Sequence, residues 1–183
     1  MELETERLIL RRWKEADIEP FFKITSDPEV RRYYPNVLTI NETKSLVTRI
    51  ESHFVKESFG LWALELKSTG EFIGYTGLSK PTFEAHFMPC VEIGWQIARR
   101  YWGQGYAPEA ANKALEDGFV RIGLDEIVSF TTVSNDKSIR VMEKLGMHRN
   151  PKDDYLHPFL PEGHPLKPHV LFRLKKTEWL QNR

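Results

Sequence analysis

Glycines 103 and 105, set one residue apart in Arg100-Tyr101-Trp102-Gly103-Gln104-Gly105-Tyr106-Ala107, have the spacing of a phosphate cradle. Glycine permits backbone angles and close approaches that side chains forbid. Successive N–H groups in such a turn, backed by the positive end of a following helix, attract anionic oxygens. The flanking segments suit that use. Val91–Ile97 alternates as a strand does, while Ala107, Ala111, Ala114, Leu115, Gly118, Phe119 and Ile122 recur at helical spacing. A nucleoside-triphosphate loop would require Lys-Ser or Lys-Thr where this chain has Tyr106-Ala107. A dinucleotide loop would want glycine or alanine at position 108, which is Pro108. It would also want an acidic residue closing the next strand, and Asp125 precedes the strand 126–133 instead. A nicotinamide-dependent oxidoreductase is therefore the weaker rival.

The third kind of phosphate loop fits. Arg100-x-x-Gly103-x-Gly105, followed by Ala107, resembles the acyl-CoA motif of the GNAT superfamily of N-acetyltransferases. The likeness extends in order through Thr5-Glu6-Arg7-Leu8-Ile9-Leu10-Arg11, Asp27-Pro28-Glu29-Val30, Ile93-Gly94-Trp95 and Gly103–Ala110. It continues through Asn135-Asp136-Lys137-Ser138 and Met142–Met147, and this ordered set resembles the ribosomal-protein N-terminal acetyltransferase branch. The resemblance implies acetyl-CoA as cofactor and an amine as acceptor. The acceptor is a protein N-terminus or a small amine, amino acid or antibiotic. A CoA-binding module without catalysis is the alternative from another class.

The resemblance also assigns roles. Backbone N–H groups from Trp102 through Gly103, Gln104, Gly105 and Tyr106 to Ala107 would hold the pyrophosphate, with Arg100 as a charged partner. A backbone donor near Gln96 or Ile97 would polarise the thioester carbonyl. Glu92 is the candidate base, because it shares a strand face with Gly94 and Gln96; the bland alternative is a solvated or ion-paired glutamate. Asn135 and Ser138 occupy the positions where the branch contacts the pantetheine arm and the sulfur, with Ser138 as candidate acid. The same spacing makes Asn135 a helix cap and Ser138 the third helical residue. Many relatives use a tyrosine as the acid, but residue 142 is methionine, which argues against that mechanism here.

On the acceptor side, Arg31, Tyr33 and Tyr34 lie between the first two helices, where this fold shapes its groove. The proline-rich stretch 150–168 carries Tyr155 and His157, which either face the substrate or decorate a rigid surface connection. Phe83, His86, Phe87 and Met88 precede the central strand as a further wall or as core. His157, His164 and His169 lack metal-site spacing and have no cysteine pair beside them, so no metal is expected.

These residues must be held by a core, and 183 residues suffice for one domain spanning 1–183. Formal net charge is zero, which argues against a general nucleic-acid or membrane-surface binder. The lone Cys90 and the lack of an apolar span or leader point to a cytoplasmic protein. Strands are expected from residue 8 towards Trp13, near 60–66, 71–79, 91–97 and 126–133, and near 170–175. Helices are expected after a cap at Asp17, after a Thr39/Glu42 capping box, after Ala107, and just before Gly146. Two opening helices, an antiparallel run and one βαβ crossover give a mixed α/β (α+β) fold. Its central sheet is mostly antiparallel with helices on both faces, the order that the GNAT resemblance also implies.

Overall fold

The computed structural model describes residues 2–181. The chain opens with β1 (Leu3–Glu4), β2 (Leu8–Arg11), α1 (Ile18–Thr25) and α2 (Ile40–Glu57). It continues through β3 (Leu61–Leu66), β4 (Phe72–Ser79), β5 (Glu92–Ile97), α3 (Tyr106–Glu116) and β6 (Glu126–Thr132). Then follow α4 (Asp136–Lys144), β7 (His148–Arg149), β8 (Tyr155–Leu156), β9 (Pro168–Lys175) and α5 (Lys176–Gln181). The sheet runs β1-β2-β3-β4-β5-β6-β9-β7, with β8 also paired to β9. Among the described residues only the β5–β6 contact is parallel, and α3 makes the crossover between those strands. This is the mixed, mostly antiparallel sheet that the sequence predicts.

Local chemistry fixes the ends of the elements. At α2, Thr39 and Glu42 form the predicted capping box, with Thr39 N–H donating to Glu42 Oε2 at 2.7 Å and Glu42 N–H to Thr39 Oγ1 at 3.3 Å. The stripe below it is Thr43, Val47, Ile50 and Phe54, with Leu46 only partly buried. Asp17 departs from its expected role: it makes no side-chain cap to α1. Its carboxylate instead accepts from Arg11 Nη1 and Nη2 at 2.7 and 2.8 Å and from Lys14 N–H at 2.8 Å. The Arg11 charge demands that pairing, because strand β2 ends with this guanidinium buried.

Three apolar clusters result. One joins β2, β3 and β4 to α1 and α2. A second packs Ile93, Ile127, Phe172 and Leu174 against Ala111, Leu115 and Phe119 of the crossover segment and Met142 of α4. The third places Phe83 and Phe87 against Val128 and Leu171, with Cys90, Phe130 and Tyr155 at its edge. Phe83 and Phe87 thus serve as core on this side of β6 and β9, with Met88 at its edge, whereas His86 is exposed.

Candidate functional site

Gly103 and Gly105 both take left-handed angles, φ +76° and +82°, and Gly105 caps α3. No described residue accepts a hydrogen bond from the N–H of Gly103, Gln104 or Gly105. Trp102 differs, because its N–H is already given to Arg99 O at 3.1 Å. The open donors therefore begin at Gly103 rather than at Trp102. A Cβ at Gly103 would meet nothing within 4 Å among the described residues, so the space beside that glycine is open. The turn is held from behind. Glu109 accepts from Thr5 Oγ1, Arg7 N–H and Arg7 Nε at 2.6, 2.9 and 2.6 Å. Arg7 Nη1 in turn donates to Gln104 O at 3.0 Å, and its guanidinium lies 4.3 Å over the Tyr106 ring. The sequence offered no role for Arg7 or Glu109; Arg7, in the bend before β2 and about a hundred residues away in sequence, clamps the loop together with Glu109 of α3.

The loop opens into a groove of about 610 Å³. Its lining brings together Gln96, Ile97, Trp102, Gly103, Gly105 and Tyr106. Ala107, Asn135 and Ser138 border it, as do Tyr33 and Tyr34 from the acceptor side. Lys137, Arg140 and Lys144 line it too, and Lys137 Nζ sits 3.9 Å over the Trp102 ring. Sequence reasoning passed over these three cations. Their spacing along α4 puts them on one helical face, which is the signal that would have found them. Together the open N–H groups, the bare glycine turn and this basic face suit a long ligand bearing phosphates.

The groove runs into a split in the sheet. β4 and β5 are paired from Gly74↔Ile97 to Ser79↔Glu92, whereas β5 and β6 share the single register pair Glu92↔Val128. Beyond it, Ser129 Oγ donates to Ile93 O at 2.9 Å, and then the strands part. Backbone groups alternate sides along a strand. Val91 O and Ile93 O point at β6, so the N–H groups of Trp95 and Ile97 face the gap. Gln96 is the exception among the expected donors. Its carbonyl faces β4, directly against Gly74, so its own N–H does not reach the gap.

At α4, Asn135 Oδ1 accepts from Ser138 N–H at 3.3 Å, and Asn135 Nδ2 donates to Thr131 Oγ1 at 2.9 Å and to Ser138 Oγ at 3.0 Å. Asn135 is thus the helix cap, its amide engaged at both ends. Ser138 accepts one hydrogen bond and keeps its own proton to donate.

Glu92 stands where the strands part. Burial alone pushes its carboxyl up from 4.5 to about 8, and no described residue donates a hydrogen bond to it. Its charge is felt by Tyr34, Tyr75, Tyr155 and Cys90. Tyr34 links it to the groove, because that ring lines the groove and its phenol faces Tyr75. Burial raises the Tyr34 phenol, with Arg31 pulling the other way. Arg31 itself stacks 3.8 Å over the Tyr34 ring and donates to Asn36 O at 3.0 Å, so it braces the tyrosine from outside.

Of the residues named from the sequence, Arg31, Glu92, Gln104, Arg100, Tyr155 and His157 do not line the groove. Arg100 is ion-paired with Glu71 and lines a separate recess with Arg99 and Lys23. Tyr155 and His157 join an aromatic cluster with Phe83, Phe130 and His169. Burial raises the Tyr155 phenol and lowers His157, and it takes His169 down to about 4. Cys90, pushed up to about 12 chiefly by burial, has the protonated thiol of a packing residue.

Residues 7–148 match the acetyltransferase (GNAT) domain model. The chain belongs to the GNAT family and is an acetyltransferase. It is 35% identical over 147 residues to the uncharacterized protein YkkB of Bacillus subtilis (strain 168), across 80% of this chain and 84% of that one. It is 32% identical over 149 residues to the uncharacterized N-acetyltransferase YoaA of the same organism, across 80% and 82%. The crystal structure of a GNAT-family acetyltransferase from Bacillus anthracis superposes with a TM-score of 0.80 at 28% identity, covering 97% of this chain and all of that one. The family uses acetyl-CoA as its co-substrate. Among the described residues no helix is long and apolar enough to cross a membrane.

Proposed function

We propose that this chain transfers an acetyl group from acetyl-CoA to a primary amine by direct attack, with Glu92 as the base. The observation that carries the reading is the opening of the sheet immediately beyond Glu92↔Val128, at the end of a groove that starts in the glycine turn. Acetyl-CoA, when bound, supplies a thioester carbonyl open to attack by an amine. The N–H groups of Gly103, Gln104 and Gly105 hold phosphate oxygens, and Lys137, Arg140 and Lys144 add positive charge alongside them. The Trp95 and Ile97 N–H groups, aimed into the gap, stabilise negative charge on a carbonyl oxygen there. Glu92 accepts the proton that the amine must lose. With its carboxyl near 8 and an α-amine also near 8, that transfer is almost balanced in energy. The Ser138 hydroxyl, its proton free, donates to the departing sulfur at the positive end of α4.

The test is release of free thiol from acetyl-CoA across peptides with free N-termini and small primary amines. Amine-dependent release with acetylated product is the expected result. Thermal stabilisation by acetyl-CoA with no release above the amine-free control would favour a binding module instead.

A further inference from the structure

A thioester carbon is trigonal, so two of its substituents fix the direction of the third. On the acetyl-transfer reading above, the oxygen points to the Trp95 and Ile97 N–H groups of β5 and the sulfur to Ser138 of α4. Helices α3 and α4 both pack on the face of the sheet that carries Ile93 and Ile127. The acyl tail therefore leaves through the split to the opposite face, the one that carries Glu92 and Val128. For acetyl that tail is a single methyl.

The opposite face has room and polarity beyond what a methyl uses. Alternation from the Glu92↔Val128 pair puts Gly94 and Gln96 of β5 on it, and Phe130 and Thr132 of β6. A Cβ built on Gly94 would meet no atom within 4 Å among the described residues beyond its chain neighbours, and Gly77 across from it on β4 adds no side chain. Gln96 and Thr132 stand at equal steps from the paired residues, one on each side of the split. They are 5% and 1% exposed, yet Gln96 Oε1, Gln96 Nε2 and Thr132 Oγ1 have no hydrogen-bond partner among the described residues. Gln96 also lines the groove. Buried polar atoms are nearly always paired, so orphans flanking one opening mark a place where a polar group binds.

The orphans set the chemistry of that group. Gln96 Oε1 needs a donor, Gln96 Nε2 needs an acceptor, and Thr132 Oγ1 takes either. An alkyl tail answers none of them. A carboxylate or a ketone only accepts and leaves Oε1 unpaired, while an ammonium only donates. A hydroxyl donates once and accepts twice, and it is the smallest group that does both.

We propose that this protein also uses thioesters whose acyl tail bears a hydroxyl beyond the carbonyl, with Gln96 and Thr132 as the tail's subsite and Gly94 as its floor. The proposal rests on the acetyl-transfer reading and follows the same steps. The amine nitrogen bonds to the thioester carbon and the C–S bond breaks. Glu92 takes the amine proton, Ser138 gives one to the sulfur, and the tail hydroxyl is unchanged. Exchange with water resets both side chains.

Amine-dependent thiol release from acetyl-CoA, butyryl-CoA and the two enantiomers of 3-hydroxybutyryl-CoA tests the idea. One enantiomer is expected to exceed butyryl-CoA in kcat/KM by about tenfold, the worth of one to two hydrogen bonds. Thr132→Val keeps the shape of the side chain and should remove that advantage, leaving acetyl-CoA and butyryl-CoA unchanged. Gly94→Val fills the open floor, and should lower the rate with either four-carbon donor relative to acetyl-CoA. Equal kcat/KM for butyryl-CoA and both hydroxyacyl donors would overturn the proposal, as would release from acetyl-CoA alone. So would a Thr132→Val loss shared by butyryl-CoA, which would make Thr132 a packing residue. Release from acetyl-CoA without a hydroxyacyl preference sinks this proposal alone, whereas no release from any donor with any amine sinks the acetyl-transfer reading with it.

Discussion

Replacing Glu92 by glutamine is expected to stabilise the fold while slowing acetyl transfer. The sign follows from the position of the carboxyl. Folding raises it from 4.5 to about 8 because burial disfavours the charged form and no partner compensates. Below pH 4.5 the group is protonated in both folded and unfolded chains, and its burial costs nothing in ionisation. Between those values the unfolded chain gives up the proton and the folded chain keeps it, so stability falls as pH rises. Each pH unit is worth about 1.4 kcal/mol, which gives a bound of about 3 kcal/mol at pH 7. Partial contact of Glu92 with solvent reduces that figure, and roughly 1–3 kcal/mol corresponds to roughly 3–10 °C in Tm for a chain of this size.

The measurement is thermal unfolding of the wild type and Glu92→Gln at pH 5, 6, 7 and 8. The variant's Tm advantage should be smallest at pH 5, widen steadily, and level off above pH 8. In parallel, kcat of the wild type should rise with pH towards about 8. The variant should lose about a hundredfold or more in kcat, the usual scale for a positioned base, together with that pH dependence. A variant that is no more stable at pH 8 than at pH 5, relative to wild type, would refute the argument from burial. Unchanged kcat would separately remove Glu92 from proton transfer.

Gly105→Val forces a β-branched residue into φ +82° with its Cβ 3.4 Å from Arg7 Nη2. Calorimetric titration should show acetyl-CoA affinity reduced by about a hundredfold or more in a folded variant, a loss of roughly 3 kcal/mol. Normal affinity would remove the loop from phosphate binding. Lys137→Ala combined with Arg140→Ala should raise KM for acetyl-CoA about tenfold at low salt, with the difference shrinking as ionic strength rises. A salt-independent effect would mean that packing on Trp102 matters more than charge. Asp17→Asn takes a carboxylate from the buried Arg11 and should cost about 3–5 kcal/mol in chemical denaturation. A loss below 1 kcal/mol would show that Glu65, 2.6 Å from Arg11 Nε, is sufficient alone.

The elements were legible where the cause is local. The Thr39/Glu42 box, the alternation of 91–97 and the αL glycine before α3 each act within a few residues, so their spacing carries the information. What escaped depends on distant partners. Asp17 looks like a cap until Arg11, buried by the sheet, claims its carboxylate. Arg100 has the motif position of a cofactor contact, but Glu71 lies beside it and turns it into a different recess. Gln96 was assigned by proximity, and only the pairing of β4 with β5 reveals which way its backbone points. The Arg7–Glu109 clamp joins residues that a reading along the chain never brings together.

Four carboxylates that the fold takes wholly or partly out of water divide by what they touch, and the division says which one is without a charged partner. Asp17, 3% exposed, sits against a guanidinium that binds both its oxygens, and the pair locks β2 to the turn before α1. Glu109 is neutralised by Arg7 and holds the glycine loop in shape. Asp117 is closed by Arg121. Each of these charges is matched, and matched charges hold structure. Glu92 alone among these four lacks such a match, and the fold gives up stability to keep it at the point where β5 leaves β6. A packed methionine or leucine there would raise stability and would have no proton to exchange. On the reading proposed above, an unmatched acid beside an open gap is placed to exchange a proton with what enters it, and a primary amine has a pKa in the same range.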